Sequence, residues 1–190
     1  GETDTVIIAG MGGDLICKIL KAKPEFLIEG KEFILQPQSE WFKIRRLLKE
    51  YHYQIEKEWF LKEDGKYYVI IKAEPAWTQP QRLKHQQPSI HEYIKEISDT
   101  QVNQAVSEKD MESIYEQYGK YLIETKNPVL KEYLEKEITK KESIAAELKQ
   151  SIKEIESEEL SGKERGNIAK RQRRYQEIQK EIRDMRKAIG

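Results

Sequence analysis

The feature that most constrains the fold is a short apolar run near the start of the chain that does not alternate with polar residues. Residues 5–9 have the sequence Thr-Val-Ile-Ile-Ala, and a strand without alternation is typical of a parallel sheet buried on both faces. A cluster of glycines, Gly10-Met11-Gly12-Gly13, ends this run. A helix is predicted next, because four apolar residues recur at helical spacing, and we expect them on its inner side: Leu15, Ile16, Ile19 and Leu20.

The same order of elements is then repeated. Residues 32–35 predict a second buried strand, which Gln36 and Pro37 end. Pro24 is expected to mark the end of the preceding helical region. Ser39 is predicted to be the N-cap of a helix that runs to about Tyr51.

An antiparallel hairpin is predicted after the second helix. Two aromatic and β-branched runs, residues 53–61 and 67–73, flank an Asp-Gly pair, which is a strong hairpin signal. The order strand, helix, strand, helix, hairpin is that of the second half of a doubly wound α/β sheet with an antiparallel edge.

The C-terminal third has a different pattern. Charged residues make up 36% of the chain and are concentrated here, and apolar residues recur three and four apart in two series. Such series predict two helices that form an antiparallel coiled-coil hairpin, with Ser161 and Glu164 at capping-box spacing for the second helix. The two series are Ile138, Ala145, Leu148, Ile152 and Ile155, with a polar position at Lys141, and Ile168, Tyr175, Ile178, Ile182, Met185 and Ile189, with a polar position at Arg171.

These patterns predict three regions. Residues 1–75 would form the sheet domain, and residues 128–190 the coiled-coil hairpin. Residues 76–127 would be a linker and helical connection, with a short helix at about residues 90–97. Pro and Gln are frequent in the first part of this connection.

Several classes of protein and site are disfavoured. The formal net charge is +0, so global basicity gives no argument for nucleic acid. A single cysteine, Cys17, excludes an internal disulfide, and its apolar helix suggests a core position. The three histidines have no metal-ligand spacing, so no metal site is expected. Without an apolar run of membrane-spanning length or a signal sequence, a soluble intracellular protein is expected.

The glycine turn is the most informative candidate site. Glycines directly after a buried strand let a ligand approach the backbone, and ligands of open α/β sheets bind at the carboxyl ends of the strands. A dinucleotide fingerprint is excluded, since its third glycine would fall at Leu15. The alternative is an ordinary tight turn.

Two further positions belong to the same edge. Gln36 could hydrogen-bond a purine edge, whereas Pro37 could simply terminate the strand. Asp14 is predicted to cap the helix, with a ligand-facing role as the alternative.

A dense basic set lies at the start of the second C-terminal helix. With Tyr175 between its members it could follow phosphates, or it could be a solvated face paired with the acidic first helix. The same two alternatives, phosphate contact or a solvated face, apply to Arg45 and Arg46 on the helix after Pro37. The set comprises Lys163, Arg165, Lys170, Arg171, Arg173 and Arg174.

Taken together, the motifs resemble the bacterial tRNA (adenine(22)-N1)-methyltransferase family. The resemblance rests on Ile8-Ala9-Gly10-Met11-Gly12-Gly13, then Leu35-Gln36-Pro37, then Glu63-Asp64-Gly65-Lys66 before a strand, and finally the coiled coil. It covers essentially the whole chain, and the first two motifs are fairly specific in combination.

The resemblance implies a cytoplasmic class I methyltransferase that uses S-adenosylmethionine to methylate adenine N1 in tRNA. The loop from Ala9 to Gly13 would receive the target base, with Gln36 and Pro37 bordering the pocket. Arg45, Arg46 and the basic set would contact tRNA, which the coiled coil would help to hold.

The resemblance also implies that the N-terminal, cofactor-binding half of such an enzyme does not fall within these residues. We therefore expect the chain by itself to bind S-adenosylmethionine poorly. The strand at residues 5–9 would expose an unpaired flank prone to self-association. The alternatives are a non-enzymatic RNA-binding module and an oligomerising coiled coil.

Overall fold

The structure, a computed structural model, describes residues 4–76, 102–156 and 162–190. Four strands form one sheet with the order β1-β2-β4-β3. Strand β1 is parallel to β2, and β4 is antiparallel to both β2 and β3. The strands are β1 (Thr5–Met11), β2 (Glu32–Pro37), β3 (Tyr53–Glu63) and β4 (Lys66–Pro75).

Within the described residues of the first part of the chain, five helices accompany the sheet. The α/β class and the order strand, helix, strand, helix, hairpin are confirmed by these elements. Side chains along β2 and β4 alternate between more and less buried, so one face of the sheet carries the core. The helices are α1 (Gly13–Ala22), α2 (Pro24–Ile28), α3 (Trp41–Glu50), α4 (Val102–Tyr118) and α5 (Lys120–Glu124).

The core joins the sheet to α1 and α3. Phe60 of β3 makes an edge-on ring contact with Trp41 of α3, with centroids 5.3 Å apart. Phe33 of β2 lies 4.9 Å from the Tyr53 ring. Burial of large side chains like these supplies roughly 1.5–3 kcal/mol each. The other fully buried members include Ile16, Leu20, Leu35, Ile44, Leu48, Val69 and Ile71.

The prediction that the first strand is buried on both faces is wrong. Strand β1 lies at the edge of the sheet, and Ile7 is 68% exposed. The predicted inner face of α1 also needs correction, because Leu15 is 49% exposed while Ile16 and Leu20 are fully buried. Ile16 and Leu20 are four residues apart and share one face, whereas Leu15 is turned about 100° away from it. Cys17, predicted in the core, is half-buried.

Two predicted boundaries are also wrong. Strand β1 continues through Gly10 and Met11, with a bulge between Ala9 and Met11. Helix α1 does end just before Pro24, at Ala22, but Pro24 also begins a further short helix, α2, as proline at a first helical position commonly does. Ser39 is not the N-cap of α3; Glu40 holds that position with a φ of +53° and no side-chain capping bond.

The chain divides into two compact units, residues 1–125 and 126–190. The second unit contains two long helices, α6 (Pro128–Glu156) and α7 (Gly162–Ile189). They run antiparallel, because Lys141 bonds Glu181 while Ser151, later on α6, accepts from Arg171, earlier on α7. Most of the described buried side chains of the two helices come from the predicted apolar series: Ile138, Ala145, Ile152, Ile168, Ile178, Ile182 and Met185. Leu130, Leu134 and Ala188 are also buried but lie outside that series, and Leu148, Ile155, Tyr175 and Ile189 of the series are only partly buried.

Some predictions fall on residues that the structure does not describe. The short helix at about residues 90–97 is one of them, and the capping box is another, because Ser161 and the side chain of Glu164 lie outside the described part. Among the helices in the described ranges, none has the length and apolar character needed to span a membrane.

Candidate active site

Two loops meet at the carboxyl edge of the sheet, where the parallel strands β1 and β2 end. The Gly10 N–H donates to the Gln36 side-chain oxygen at 2.8 Å. The Gln38 N–H donates to the Met11 carbonyl at 2.8 Å, and the Gly13 N–H donates to the Ser39 carbonyl at 2.9 Å. Three hydrogen bonds between residues more than 20 positions apart therefore hold the two loops in one arrangement.

Glycine is required at two positions of the first loop. A Cβ at Gly13 would lie 2.6 Å from the Glu40 carbonyl oxygen and 2.7 Å from that of Ser39. Because backbone atoms cannot move aside as a flexible side chain can, only glycine allows this approach. Gly10 has a φ of +78° at the bulge of β1, a conformation that residues with a Cβ rarely adopt.

A charged cluster fastens the same loops from the outside. Lys43 Nζ lies 2.9 Å from Asp14 Oδ1 and 2.5 Å from Glu40 Oε1. The Asp14 N–H donates to Glu40 Oε2 at 3.2 Å, and Lys18 also bonds the Asp14 carboxylate. Lys18 and then Lys43 lower the pKa of Asp14 to about 2, so this carboxylate is ionised at neutral pH.

This cluster corrects the predicted role of Asp14 and adds residues that the sequence analysis missed. Helix α1 has Gly12 at its N-cap and no side-chain capping bond, so Asp14 is not the cap. Ser39 is predicted from the sequence only as a helix cap, and Glu40 and Lys43 carry no short-range signal of a site. Lys43 pairs with nearby Glu40, but the contacts of these three residues with the first loop join positions more than 20 apart, which become neighbours only through the parallel pairing of β1 and β2.

Gln36 and Pro37 occupy the end of β2, as the sequence predicts. Pro37 is buried opposite Met11. The oxygen of the Gln36 amide is used by Gly10, whereas its Nε2 is shut off from solvent without a hydrogen-bond partner among the described residues. The Gln36 side chain therefore fixes the first loop through its oxygen, while its Nε2 donor is unpaired among the described residues.

The predicted tRNA-contacting role of Arg45 does not fit the structure. Its side chain is 5% exposed, and Nε donates to Glu58 Oε1 at 2.7 Å. Its Nη1 donates to the carbonyls of Glu116 and Gln117 at 3.1 Å and 2.9 Å. Arg45 thus joins α3 and β3 to the end of α4, and it is left out of the substrate-binding set.

The partner of Arg45 is held in an apolar setting. Burial raises the pKa of the Glu58 carboxyl, and the adjoining guanidinium of Arg45 offsets part of that rise.

Arg46 differs from Arg45, because its side chain is exposed. It donates to Glu116 at 2.9 Å and lies 5.6 Å from the Phe42 ring centroid.

Three carboxylates approach one another on the sheet, but a lysine occupies their centre. Lys72 Nζ lies 2.9 Å from Glu32, 2.7 Å from Glu56 and 3.2 Å from Glu74. These contacts raise the pKa of Lys72, with Glu56 contributing most. The ammonium group supplies the positive charge that a metal ion would otherwise provide, so this cluster serves as a surface ion-pair network.

The basic set of the second unit is partly described. Lys170, Arg173 and Arg174 have exposed side chains on α7, and their spacing of three and four residues places them on one face. Arg173 and Arg174 each lie 3.3 Å from Glu177. Arg171 instead contacts Ser151 of α6. The side chains of Lys163 and Arg165 lie outside the described part.

The chain is similar to several known proteins. The model of the tRNA (adenine(22)-N(1))-methyltransferase family matches residues 1–170. A Bacillus subtilis protein of that name is 33% identical, over 54% of this chain and 56% of its own length. A putative tRNA methyltransferase of Mycoplasma pneumoniae is 32% identical, over 50% of this chain and 44% of its own length.

Solved structures show the same fold. The crystal structure of the B. subtilis tRNA methyltransferase TrmK has a TM-score of 0.64 and 23% identity, and covers 100% of this chain and 64% of the solved one. A Mycoplasma capricolum TrmK in complex with S-adenosylhomocysteine has a TM-score of 0.57 and 21% identity, with coverages of 98% and 59%.

The share of each relative that this chain covers limits what the similarity establishes. This chain spans between 44% and 64% of the length of these relatives and solved structures. The family model nevertheless covers most of the chain, including both loops of the candidate site. The chain belongs to the tRNA (adenine(22)-N(1))-methyltransferase family.

Proposed function

We propose that this chain forms the base-holding, tRNA-facing part of a methyltransferase that transfers a methyl group from S-adenosylmethionine to adenine N1 in cytoplasmic tRNA. The observation that carries this proposal is the pair of loops after β1 and β2, which three long-range hydrogen bonds hold together. Their glycines leave backbone groups within reach of a flat ligand. A preorganised loop of this kind can position a base without moving during the reaction.

The loop residues have separate roles in this proposal. Backbone groups of Ala9, Gly10, Met11, Gly12 and Gly13 receive the exocyclic amine of the adenine, with Gln36 and Pro37 at the border of the pocket. Adenine N1 has a free in-plane lone pair, so alignment with the methyl donor and charge stabilisation replace a strong general base. Its Watson–Crick edge must be exposed, which requires an unpaired or flipped base.

We further propose a place for the cofactor-binding half. S-adenosylmethionine would supply the methyl group. Strand β1 has no partner on its outer side among the described strands, and Ile7 of this strand is largely exposed. We place the cofactor-binding half against this flank, because an apolar edge strand otherwise invites non-specific pairing.

The second unit is proposed to hold the tRNA. Helices α6 and α7 would form an antiparallel coiled coil, which agrees with their buried apolar series. The basic set would contact tRNA phosphates: Lys163, Arg165, Lys170, Arg171, Arg173 and Arg174. In the first unit, Arg46 would contribute a separate phosphate contact. The ion pairs of Arg173 and Arg174 with Glu177, and of Arg174 with Glu181, are exposed and therefore weak, so phosphates can compete for these arginines. We keep the three predicted regions, residues 1–75, 76–127 and 128–190, as the working division.

The proposed reaction is tested by incubating the chain, joined to the cofactor-binding half of a family relative, with tRNA and S-adenosylmethionine and analysing the nucleosides by mass spectrometry. Formation of 1-methyladenosine is expected from this fusion and little or none from the chain by itself. A Gly13→Ala variant of the fusion should reduce the rate by roughly a hundredfold, because displacing a loop by about 1 Å can have that effect. Gly65→Ala, at a hairpin turn where a Cβ would meet nothing within 4 Å, is the matched control.

Other outcomes separate the alternatives. Methylation of another base or atom would contradict the proposal. Calorimetric titration of S-adenosylmethionine into the chain by itself should show little binding, and clear one-to-one binding would contradict the placement of the cofactor site outside these residues. Retained tRNA affinity without product from the fusion would favour the non-enzymatic RNA-binding module.

The proposed tRNA-holding surface predicts a specific dependence on salt. Neutralising Lys170, Arg173 and Arg174 to Gln should reduce the slope of log affinity against log salt by about 2–3, because each lost phosphate contact removes about 0.7–0.9. Fluorescence anisotropy with labelled tRNA gives this slope. The matched control neutralises Lys131, Lys136 and Lys140, which have exposed ion pairs on α6.

Two results would count against this surface. Equal slopes for the two triple variants would contradict it. A changed oligomer mass in sedimentation, without a changed slope, would instead support self-association through the coiled coil.

A further inference from the structure

The amide of Gln36 is oriented by a backbone hydrogen bond. Gly10 has an N–H donor, and the amide oxygen is the only acceptor that Gln36 can offer it. Nε2 must therefore occupy the other position of the amide. This nitrogen is covered from solvent and has no hydrogen-bond partner among the described residues.

An unpaired donor in this position calls for a physical reason. Most buried side-chain polar atoms have a partner, and leaving one without a partner costs roughly 1–3 kcal/mol. Gln36 lies directly opposite Ala9 in the pairing of β1 with β2. The donor is thus held beside the loop that we propose for the target base, at the bulge where Gly10 turns to a positive φ.

A donor next to a backbone loop matches one edge of adenine. The Hoogsteen edge of adenine presents the N7 acceptor beside the N6 amine donor. The Gln36 Nε2 can donate to N7 while a loop carbonyl accepts from N6, and N1 on the Watson–Crick edge remains free for the methyl group. Guanine presents an oxygen acceptor at position 6, which would face the loop carbonyl and be repelled.

We propose that Gln36 is a substrate-positioning residue whose Oε1 fixes the Gly10 loop and whose Nε2 donates to N7 of the target adenine. The inference rests on the proposed function of this site and deepens it by naming the edge of the base that the protein recognises. It also gives the site a preference for adenine over guanine.

Nuclear magnetic resonance of the 190-residue chain tests this directly. The side-chain amide signal that disappears in Gln36→Glu identifies Gln36 Nε2. Adding an RNA hairpin that carries the target adenosine should shift this signal, whereas the same RNA with 7-deazaadenosine at that position should leave it in place. Backbone amides of Lys170, Arg173 and Arg174 report RNA binding independently.

Affinity measurements separate the two roles of the side chain. The 7-deaza substitution should weaken RNA binding by the wild type about three- to tenfold, as expected for loss of one hydrogen bond. Gln36→Glu keeps an acceptor for Gly10 but loses the donor, so it should bind both RNAs equally, with the Gly10 amide still protected from hydrogen exchange. In Gln36→Ala, which loses both roles, that protection should fall.

The outcomes distinguish this inference from the function on which it rests. RNA that shifts the α7 amides but leaves Gln36 Nε2 in place would overturn the Gln36 inference alone. Equal shifts with adenosine and 7-deazaadenosine would do the same. RNA that shifts no signal in either unit would overturn the proposed function, and the inference with it.

Discussion

At the residue scale, Arg45 and Glu58 show why a residue type alone does not indicate a role. Two neighbouring arginines, Arg45 and Arg46, have the same sequence signal, yet one is buried against Glu58 and the other is exposed. The difference arises from helix geometry, because successive residues point about 100° apart. Only the position of β3 and α4 around α3 decides which of the two is enclosed.

The close approach of Gly119 to this ion pair gives the first stability prediction. Gly119 has a φ of +92°, and a Cβ there would lie 2.4 Å from Glu58 Oε2 and 2.9 Å from Arg45 Nη2. Gly119→Ala should lower the free energy of unfolding by about 2–4 kcal/mol, because it combines backbone strain with displacement of a buried ion pair. Urea denaturation measures this loss. Gly65→Ala, with strain but no neighbouring atom, should lose only about 1–2 kcal/mol, and equal losses would show that contact with the ion pair is unimportant.

Removing one partner of the buried pair should be more harmful than removing both. Arg45→Met leaves Glu58 buried without its cation and should lower the free energy of unfolding by about 3–5 kcal/mol. Arg45→Met with Glu58→Gln should recover part of that loss. Because burial raises the pKa of Glu58 in the folded state, its protonation favours folding, and this contribution is lost as pH rises through the folded pKa. The loss in Arg45→Met should therefore be smaller at pH 5 than at pH 8, and denaturation curves with the opposite trend would contradict this account.

At the element scale, the kinds and order of elements could be predicted, whereas several ends could not. The period of the apolar residues indicates a strand or helix and depends only on near neighbours. The start of α3 depends instead on Gly13 donating to Ser39 and Asp14 donating to Glu40. These contacts exist only after β1 and β2 have paired. The edge position of β1 is equally invisible in its sequence, because burial depends on which strand lies beside it.

The two kinds of helix start give a matched prediction. Ser39 precedes α3 without a side-chain capping bond, so Ser39→Ala should change the free energy of unfolding by less than about 0.5 kcal/mol. The Asn127 side-chain oxygen accepts from the N–H groups of Val129 and Leu130 at 3.0 Å each. Asn127→Ala should therefore lower the free energy of unfolding by about 1 kcal/mol. Thermal unfolding followed by circular dichroism compares the two variants, and a larger effect at Ser39 would restore it as a cap.

At the scale of the whole molecule, the two loops of the candidate site could be located from the sequence, whereas the side chains that hold these loops together could not. The glycine loop and Gln36-Pro37 could be located because glycine and proline after buried strands indicate turns at the carboxyl edge of a sheet. Lys43 and Glu40, which hold that edge together, are ordinary surface residue types. The contrast between the apolar first part and the charge-rich last part did indicate a separate C-terminal unit, and the chain divides between Thr125 and Lys126.

Each unit has a core of its own, and that leads to a prediction about how the chain unfolds. Ile178 of α7 is fully buried within the second unit, while Val69 and Ile71 are fully buried within the first. Ile178→Ala should remove about 2–4 kcal/mol through lost burial and the cavity left behind. Hydrogen exchange of backbone amides should then speed up along α6 and α7 and remain unchanged in β2 and β4, because local stability follows local packing. Val69→Ala is the reciprocal variant and should accelerate exchange in the sheet alone. Loss of protection in both units from either substitution would show that the chain unfolds as one cooperative body, and the helices proposed to hold tRNA could not then be altered without disturbing the loops proposed to receive the base.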